Sequence, residues 1–190
     1  LFISTQNTLV LDWEVTTRNK GSYSDPFNKP VCLGYKYGNN PEQCSFVPDE
    51  WASLDMALLV VGFNLKFDLH WTRRVGCPMP KQIWDCQLAE FILSGQTIRY
   101  PSLESVSQSY GLGDKDHVIE SGYWDKGIDT DNIPPDVLSR YCKRDTELTY
   151  QIYLRQKERF AENPKLLRLF KLQCEELLVL LEMEANGQVY

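Results

Sequence analysis

The run Leu58-Leu59-Val60-Val61-Gly62 puts apolar side chains on both faces of any strand it forms. Such strands occur where helices cover both sides of a sheet. Thr8-Leu9-Val10-Leu11-Asp12 is a second short apolar run, and it ends in a carboxylate. Val31 to Tyr37 alternates as a strand, Gly38-Asn39-Asn40-Pro41 reads as a turn, and Cys44 to Val47 reads as a third strand. Pro48-Asp49-Glu50 opens a helix with Trp51, Leu54 and Leu58 at helical spacing. Asn64 to Val75 reads as a helix closed by Gly76 and Pro78, Ile83-Trp84-Asp85 as a short strand, and 86–93 and 102–110 as helices. Gly111 to Asn132 is polar, irregular and glycine-rich, and reads as a long functional loop. Pro134-Pro135 opens a long helix to about Phe160, and Pro164 opens another that stops at Asn186-Gly187. Strands first, then strands alternating with helices, predict an α/β sandwich around a mixed sheet.

The 190 residues suit one domain of ordinary size. The net charge of −6 argues against a non-specific duplex binder, which would carry a basic patch. It leaves room for an enzyme that holds a short strand end through metal ions. No run of about 18 apolar residues is present, so no membrane-spanning helix is expected. The start, Leu1-Phe2-Ile3-Ser4, has no basic leader and no cleavage pattern, so no signal peptide is expected; it also lacks a Met, so the chain is expected to be a piece of something longer. Cys32, Cys44, Cys77, Cys86, Cys142 and Cys174 include no C-x-x-C pair. They read as small buried residues in a reducing cytoplasm, with no structural zinc site expected.

Four carboxylates stand out by position. Asp12 and Glu14 are two apart at the end of a strand and hence on one face, where two such charges call for a cation or a proton between them. Asn64 and Asp68 are four apart on a helix that follows a buried strand, the end of a sheet where ligands bind. Tyr141 and Asp145 are four apart on a later helix. Each pair alone has an ordinary reading: a strand end running into a turn, a capped helix start, a boundary tyrosine over an aspartate. Together they form an all-oxygen set suited to Mg²⁺. Two such ions about 4 Å apart activate a water and stabilise the leaving oxygen in phosphodiester cleavage.

Leu11-Asp12-Trp13-Glu14, Asn64-Leu65-Lys66-Phe67-Asp68 and Tyr141-Cys142-Lys143-Arg144-Asp145 resemble, in order and spacing, the three motifs of the DEDD exonuclease superfamily in its tyrosine subclass. The resemblance covers about the first 160 residues and implies a ribonuclease-H-like fold. It implies two divalent ions, Mg²⁺ with Mn²⁺ able to substitute. Asp12 would bridge them, Glu14 and Asp145 would complete the site of the water-activating ion, Asp68 would hold the other, and Tyr141 would orient the attacking water. Asn64 and Phe67 match positions that touch the terminal nucleotides. Val15 stands where the motif commonly has Thr, which leaves it a backbone contact; Thr16 comes next. Trp13 should pack into the core on the opposite face. Lys66 is a candidate phosphate contact, and Tyr123 and Trp124 are candidates for stacking on bases or for anchoring the loop. His70 and His117 do not occupy the position of the histidine in the sister subclass.

The segment from Leu177 to Gly187 resembles the join between exonuclease and polymerase modules in family A DNA polymerases. The implied division is an exonuclease domain over 1–162 and a connecting helix over 163–190. The implied function is proofreading: removal of nucleotides from a single-stranded 3′ end of DNA, by a monomeric domain of a longer chain, in the cytoplasm of a bacterial or phage-infected cell. Two alternatives stay open, a ribonuclease D-like exoribonuclease and an inactive module that keeps the exonuclease fold.

Overall fold

In the computed structural model, which describes residues 7–187, five strands form one mixed sheet. They are β1 (Thr8–Val15), β2 (Pro30–Tyr37), β3 (Gln43–Ser45), β4 (Leu59–Gly62) and β5 (Ile83–Asp85), in the order β3-β2-β1-β4-β5. β1 runs antiparallel to β2 and parallel to β4. The apolar run that forms β4 is buried throughout and lies inside the sheet between β1 and β5. The fold is therefore the expected α/β sandwich.

The helices are α1 (Pro48–Ala52), α2 (Leu65–Arg74), α3 (Cys86–Leu93), α4 (Leu103–Ser109), α5 (Val118–Gly122), α6 (Pro135–Ala161) and α7 (Pro164–Asn186). Two readings need correction. α1 stops at Ala52, with Ser53 as its C-cap, so Leu58 is not on its face. Residues 111–132 are not irregular throughout: they hold α5 and two 3₁₀ turns, Trp124–Lys126 and Thr130–Asn132.

α6 and α2 cover opposite faces near β1. Trp13 points to the α2 face, where its indole N–H donates to Thr72 Oγ1 at 3.0 Å and its ring meets Trp51 edge-on at 5.0 Å, as expected of a core residue. Asp12 and Glu14 point to the α6 face. There Gly34, the β2 partner of Asp12, lets α6 sit close: a Cβ at Gly34 would lie 2.4 Å from Thr146 Oγ1 and 2.7 Å from Cys142 Sγ. The far end of α6 is fixed by polar contacts. Trp84 donates to Gln156 Oε1 at 3.1 Å, Gln156 donates to the Cys86 carbonyl at 2.8 Å, and Arg159 pairs with Glu90 at 3.0 Å.

α7 folds back along α2 and α3, burying Phe170, Cys174 and Leu181. Arg73 on α2 binds both carboxylate oxygens of Glu182. Leu172, Val179, Leu180 and Met183 remain exposed on its other side.

Candidate active site

β1 delivers Asp12 and Glu14, α2 delivers Asp68, and α6 delivers Tyr141 and Asp145. The start of α2 is fixed by Asp85 at the end of β5. One Asp85 oxygen accepts the Leu65 N–H at 2.9 Å; the other accepts the N–H groups of Gln87 and Leu88 and so caps α3. Asn64, in a left-handed conformation (φ 58°), therefore makes no side-chain cap and is exposed. Asp68 turns back to β1, where its Oδ1 accepts the Trp13 N–H at 2.9 Å. That bond ties the second motif to the strand carrying the first. Asp12 Oδ2 and Asp145 Oδ1 are buried and have no hydrogen-bond partner among the described residues.

The chain also supplies residues that the sequence did not single out. Lys115, in the segment before α5, places its ammonium 2.8 Å from Asp145 Oδ2 and donates to the Tyr141 hydroxyl at 3.0 Å. The Tyr141 hydroxyl donates in turn to Glu120 Oε1 at 3.2 Å, and Lys115 reaches Glu120 at 3.7 Å. The only hint in the sequence was the glycine-rich character of that segment, which marks a functional loop without marking which residues matter.

Burial, with the neighbouring charges second, sets the protonation of this site. Burial, then the Asp145 charge, pushes the Asp12 carboxyl up to about 7. Burial and then Asp12 raise both Glu14 and Asp68 well above the usual carboxylate range. Burial also raises Asp145, although Lys115 opposes it. Burial and Asp145 drive the Tyr141 phenol far above 10, so it stays protonated at any working pH. Burial disfavours the Lys115 charge, but Asp145 outweighs it and raises Lys115 overall. One ammonium among four carboxylates leaves most of the negative charge uncompensated. Buried carboxylate oxygens without donors are costly. A hard divalent cation supplies what they lack, and the carboxylate oxygens are the donors Mg²⁺ prefers, although the Cys142 sulfur also lies within 4.8 Å of the Asp12 and Glu14 oxygens. The residues present fit such an ion.

The remaining candidates lie around this centre. Val15 follows a register shift in the β1–β2 ladder and is buried, with its methyl group packed towards Gly21. Thr16 does not turn towards the carboxylates; its hydroxyl donates to Asn28 Oδ1 at 3.1 Å and accepts the Lys29 N–H at 2.9 Å. Phe67 is half-buried against the core. Lys66 pairs with Glu184 of α7 at 2.6 Å, and Glu184 also meets His70 at 2.8 Å. Lys66 thus reaches substrate only by leaving that partner. Trp124 packs edge-on against the Tyr141 ring at 5.9 Å and donates to Thr130 Oγ1 at 3.2 Å. Tyr123 lies beside it, against the small cluster of Cys32, Ile119, Leu138 and Cys142.

The chain matches the model of a family described as 3′-5′ exonuclease over residues 51–158. Asp68, Tyr141 and Asp145 fall inside that segment; Asp12 and Glu14 precede it. Comparison with curated proteins gives no match. Among solved structures, Brucella melitensis NrnC with bound Mg²⁺ superposes with a TM-score of 0.66 at 12% identity, over 97% of this chain and 90% of that one. Trypanosoma brucei RNase D in complex with RNA U12 gives 0.58 at 14% identity, over 77% of this chain and 54% of that one. The POL domain of Pol1 from M. smegmatis, in complex with DNA primer-template and dNTP, gives 0.55 at 9% identity, over 83% of this chain and 24% of that one. The chain thus spans about half of the RNase D chain and a quarter of the polymerase. At these identities the likeness is one of fold, and that fold is the ribonuclease-H-like one the motifs imply.

Proposed function

The chain belongs to the 3′-5′ exonuclease family, of the DEDD type, and on that premise we propose that it removes nucleoside monophosphates from the 3′ end of single-stranded DNA as the proofreading domain of a family A DNA polymerase. The observation that carries the catalytic part is the meeting of Asp12, Glu14, Asp68 and Asp145 from three elements, with buried oxygens of Asp12 and Asp145 left without donors. Asp12 couples electrostatically to Asp145, Glu14 and Asp68, and Asp12, Glu14, Asp68 and Asp145 are the residues that would hold the divalent ions. Bound divalent ions supply the acidity that turns water into a nucleophile at neutral pH and the positive charge that steadies the leaving 3′ oxygen.

The protein's own groups do the rest. Tyr141 cannot act as a base, because burial and Asp145 hold its proton. Its hydroxyl, fixed between Lys115 and Glu120, orients the attacking water. Lys115 balances the Asp145 charge and, beside the Tyr141 hydroxyl, would be placed to meet a substrate phosphate. Asn64 and Phe67 receive the last nucleotides, the Val15 backbone contacts the terminal sugar, and Trp124 braces Tyr141. In this reading residues 1–162 are the exonuclease unit. α7, with Val179, Leu180 and Met183 exposed, leads towards a polymerase-type module that covers them. The second reading is an exoribonuclease of the ribonuclease D kind, favoured by the fit to the RNA-bound RNase D chain. The carboxylates act on phosphorus in the same way in both.

The test is digestion of 5′-labelled single-stranded DNA and RNA of one sequence, with Mg²⁺, Mn²⁺ or EDTA. The expected result is a ladder shortening from the 3′ end on DNA with either metal and none in EDTA. A strong preference for RNA would move the chain to the ribonuclease branch. Silence on both substrates, with the protein folded, would make it an inactive module.

Tyr141→Phe should slow cleavage by up to roughly 10²-fold, as expected for a misplaced attacking water, and leave the shape of the pH–rate profile unchanged. A rate equal to wild type would remove Tyr141 from the mechanism.

A further inference from the structure

Cys32, Cys44 and Cys142 come from β2, β3 and α6, yet their sulfur atoms all lie within 4.8 Å of one another. The sheet register explains this. Asp12, Gly34 and Cys44 form one cross-strand row over β1, β2 and β3, and Glu14 and Cys32 are paired one step further along. All of these point to the α6 face. Gly34 contributes no side chain, and Cys142 of α6 occupies the room that leaves. Three thiols thus continue the row that begins with the catalytic carboxylates. Cys142 joins the two groups, for its sulfur also lies within 4.8 Å of carboxylate oxygens of Asp12 and Glu14.

We propose that Cys32, Cys44 and Cys142 form a binding site for one thiophilic cation, of the Zn²⁺ or Cd²⁺ class, beside the carboxylate centre. Metal–thiolate bonds of about 2.3 Å place ligating sulfurs roughly 4 Å apart, a spacing that small side-chain rotations reach from the observed one. Soft sulfur donors select such ions over Mg²⁺, while the neighbouring oxygens select the reverse, so the two centres sort metals by donor type. Cys32 and Cys142 are fully buried and Cys44 is partly exposed at the sheet edge, so entry is past Cys44. Three protein ligands leave a fourth position for water or for a nearby carboxylate. Binding releases thiol protons to solvent, with no oxidant or reductant involved. The lack of C-x-x-C spacing does not bear on this trio, because it is assembled across strands rather than along the chain.

The test is titration of the reduced, chelator-stripped chain with Cd²⁺, followed by the thiolate-to-cadmium charge-transfer absorption, with Mg²⁺ in excess throughout. One equivalent should saturate the band. Cys44→Ser and Cys142→Ser should each lose it, and Cys77→Ser should keep it. One equivalent of Zn²⁺ should also protect Cys44 from alkylation, read by peptide mass spectrometry; this arm needs no variant and holds even if Cys142→Ser fails to fold. A wild-type chain that gives no band and no protection would overturn the site. So would a band that survives Cys44→Ser, or one that excess Mg²⁺ abolishes.

Discussion

Asp12→Asn should abolish metal-dependent shortening of a 3′ end, by roughly 10³-fold or more, and should also make the metal-free protein more stable at pH 8. The first effect follows from the proposed role of Asp12 as a ligand beside Glu14, Asp68 and Asp145: a neutral amide there would hold a divalent cation far more weakly, and several kcal/mol of transition-state charge stabilisation would go with it, at about 1.4 kcal/mol per tenfold in rate. The second follows from linkage. The Asp12 carboxyl is raised from the ordinary range to about 7 by burial and by Asp145, with Lys115 only partly offsetting them. A group raised in the folded state contributes stability that is complete below its unfolded value, about 4, and lost as pH climbs through the folded value. Wild type should therefore lose stability relative to Asp12→Asn between about pH 4 and pH 7. Thermal melts in EDTA at pH 4.5 and pH 8 would show it, as a small gap at the lower pH and a gap of about a few degrees in favour of the variant at the higher. Adding Mg²⁺ at pH 8 should raise the wild-type melting temperature and leave the variant nearly unmoved, because a ligand stabilises only the state that binds it. If Asp12→Asn melts lower than wild type in EDTA at pH 8, Asp12 is a structural residue and the centre needs another ligand.

Most of the scaffold behind that centre was readable in advance, and the exceptions have physical causes. β4, α3 and α7 match closely because each carries its own punctuation: an apolar run ended by Gly62, a carboxylate cap at Asp85, a Pro164 start and a Gly187 stop. α1 was read too long because Leu58 lies at helical spacing from Trp51 yet begins the approach to β4. The 111–132 segment hid its short helices because one-turn helices leave too little periodicity to see. Asp12, Glu14, Asp68 and Asp145 stand out through the resemblance of their three motifs to the exonuclease family. Spacing alone pairs Asp12 with Glu14, Asn64 with Asp68 and Tyr141 with Asp145, and the second pairing does not hold, since Asn64 sits at the N-cap of α2 in an exposed left-handed turn while Asp68 is buried. Lys115 and Glu120 were not, since their approach to Tyr141 depends on how the segment before α6 folds over it. The thiol trio was hidden for the same reason: β2–β3 register and the seat of α6 decide it, and neither can be read from cysteine spacing.

Gly34→Ala should be the most damaging small substitution outside the carboxylates, because it acts on fold and site at once. Its Cβ would meet Thr146 Oγ1 at 2.4 Å, Cys142 Sγ at 2.7 Å and the Cys142 carbonyl oxygen at 3.1 Å. Thr146 is fully buried, and its hydroxyl is held by the same Cys142 carbonyl at 2.9 Å, so rotating it away breaks a buried hydrogen bond. The carbonyl belongs to the helix backbone and cannot rotate at all. The relief left is for α6 to back away from β2. Overpacking of this kind costs about 1–3 kcal/mol, or roughly 3–10 °C of melting temperature in a chain of this size. The same movement carries Tyr141 and Asp145 away from Asp12, which faces Gly34 across the ladder. A displacement of about 1 Å at a reacting centre lowers the rate by roughly 10²-fold. Gly76→Ala is the control: Gly76 has a positive φ of 82° but, among the described residues, nothing lies within 4 Å of the place a Cβ would take, so it should cost stability through backbone strain alone and leave kcat near wild type. Thr146→Ala added to Gly34→Ala removes the closest clash and should restore part of both losses, a positive coupling that a double-mutant cycle reads directly. A Gly34→Ala protein with unchanged melting temperature and rate would mean that α6 yields freely against the sheet. The geometry joining Asp145 to Asp12 would then not depend on the helix seat.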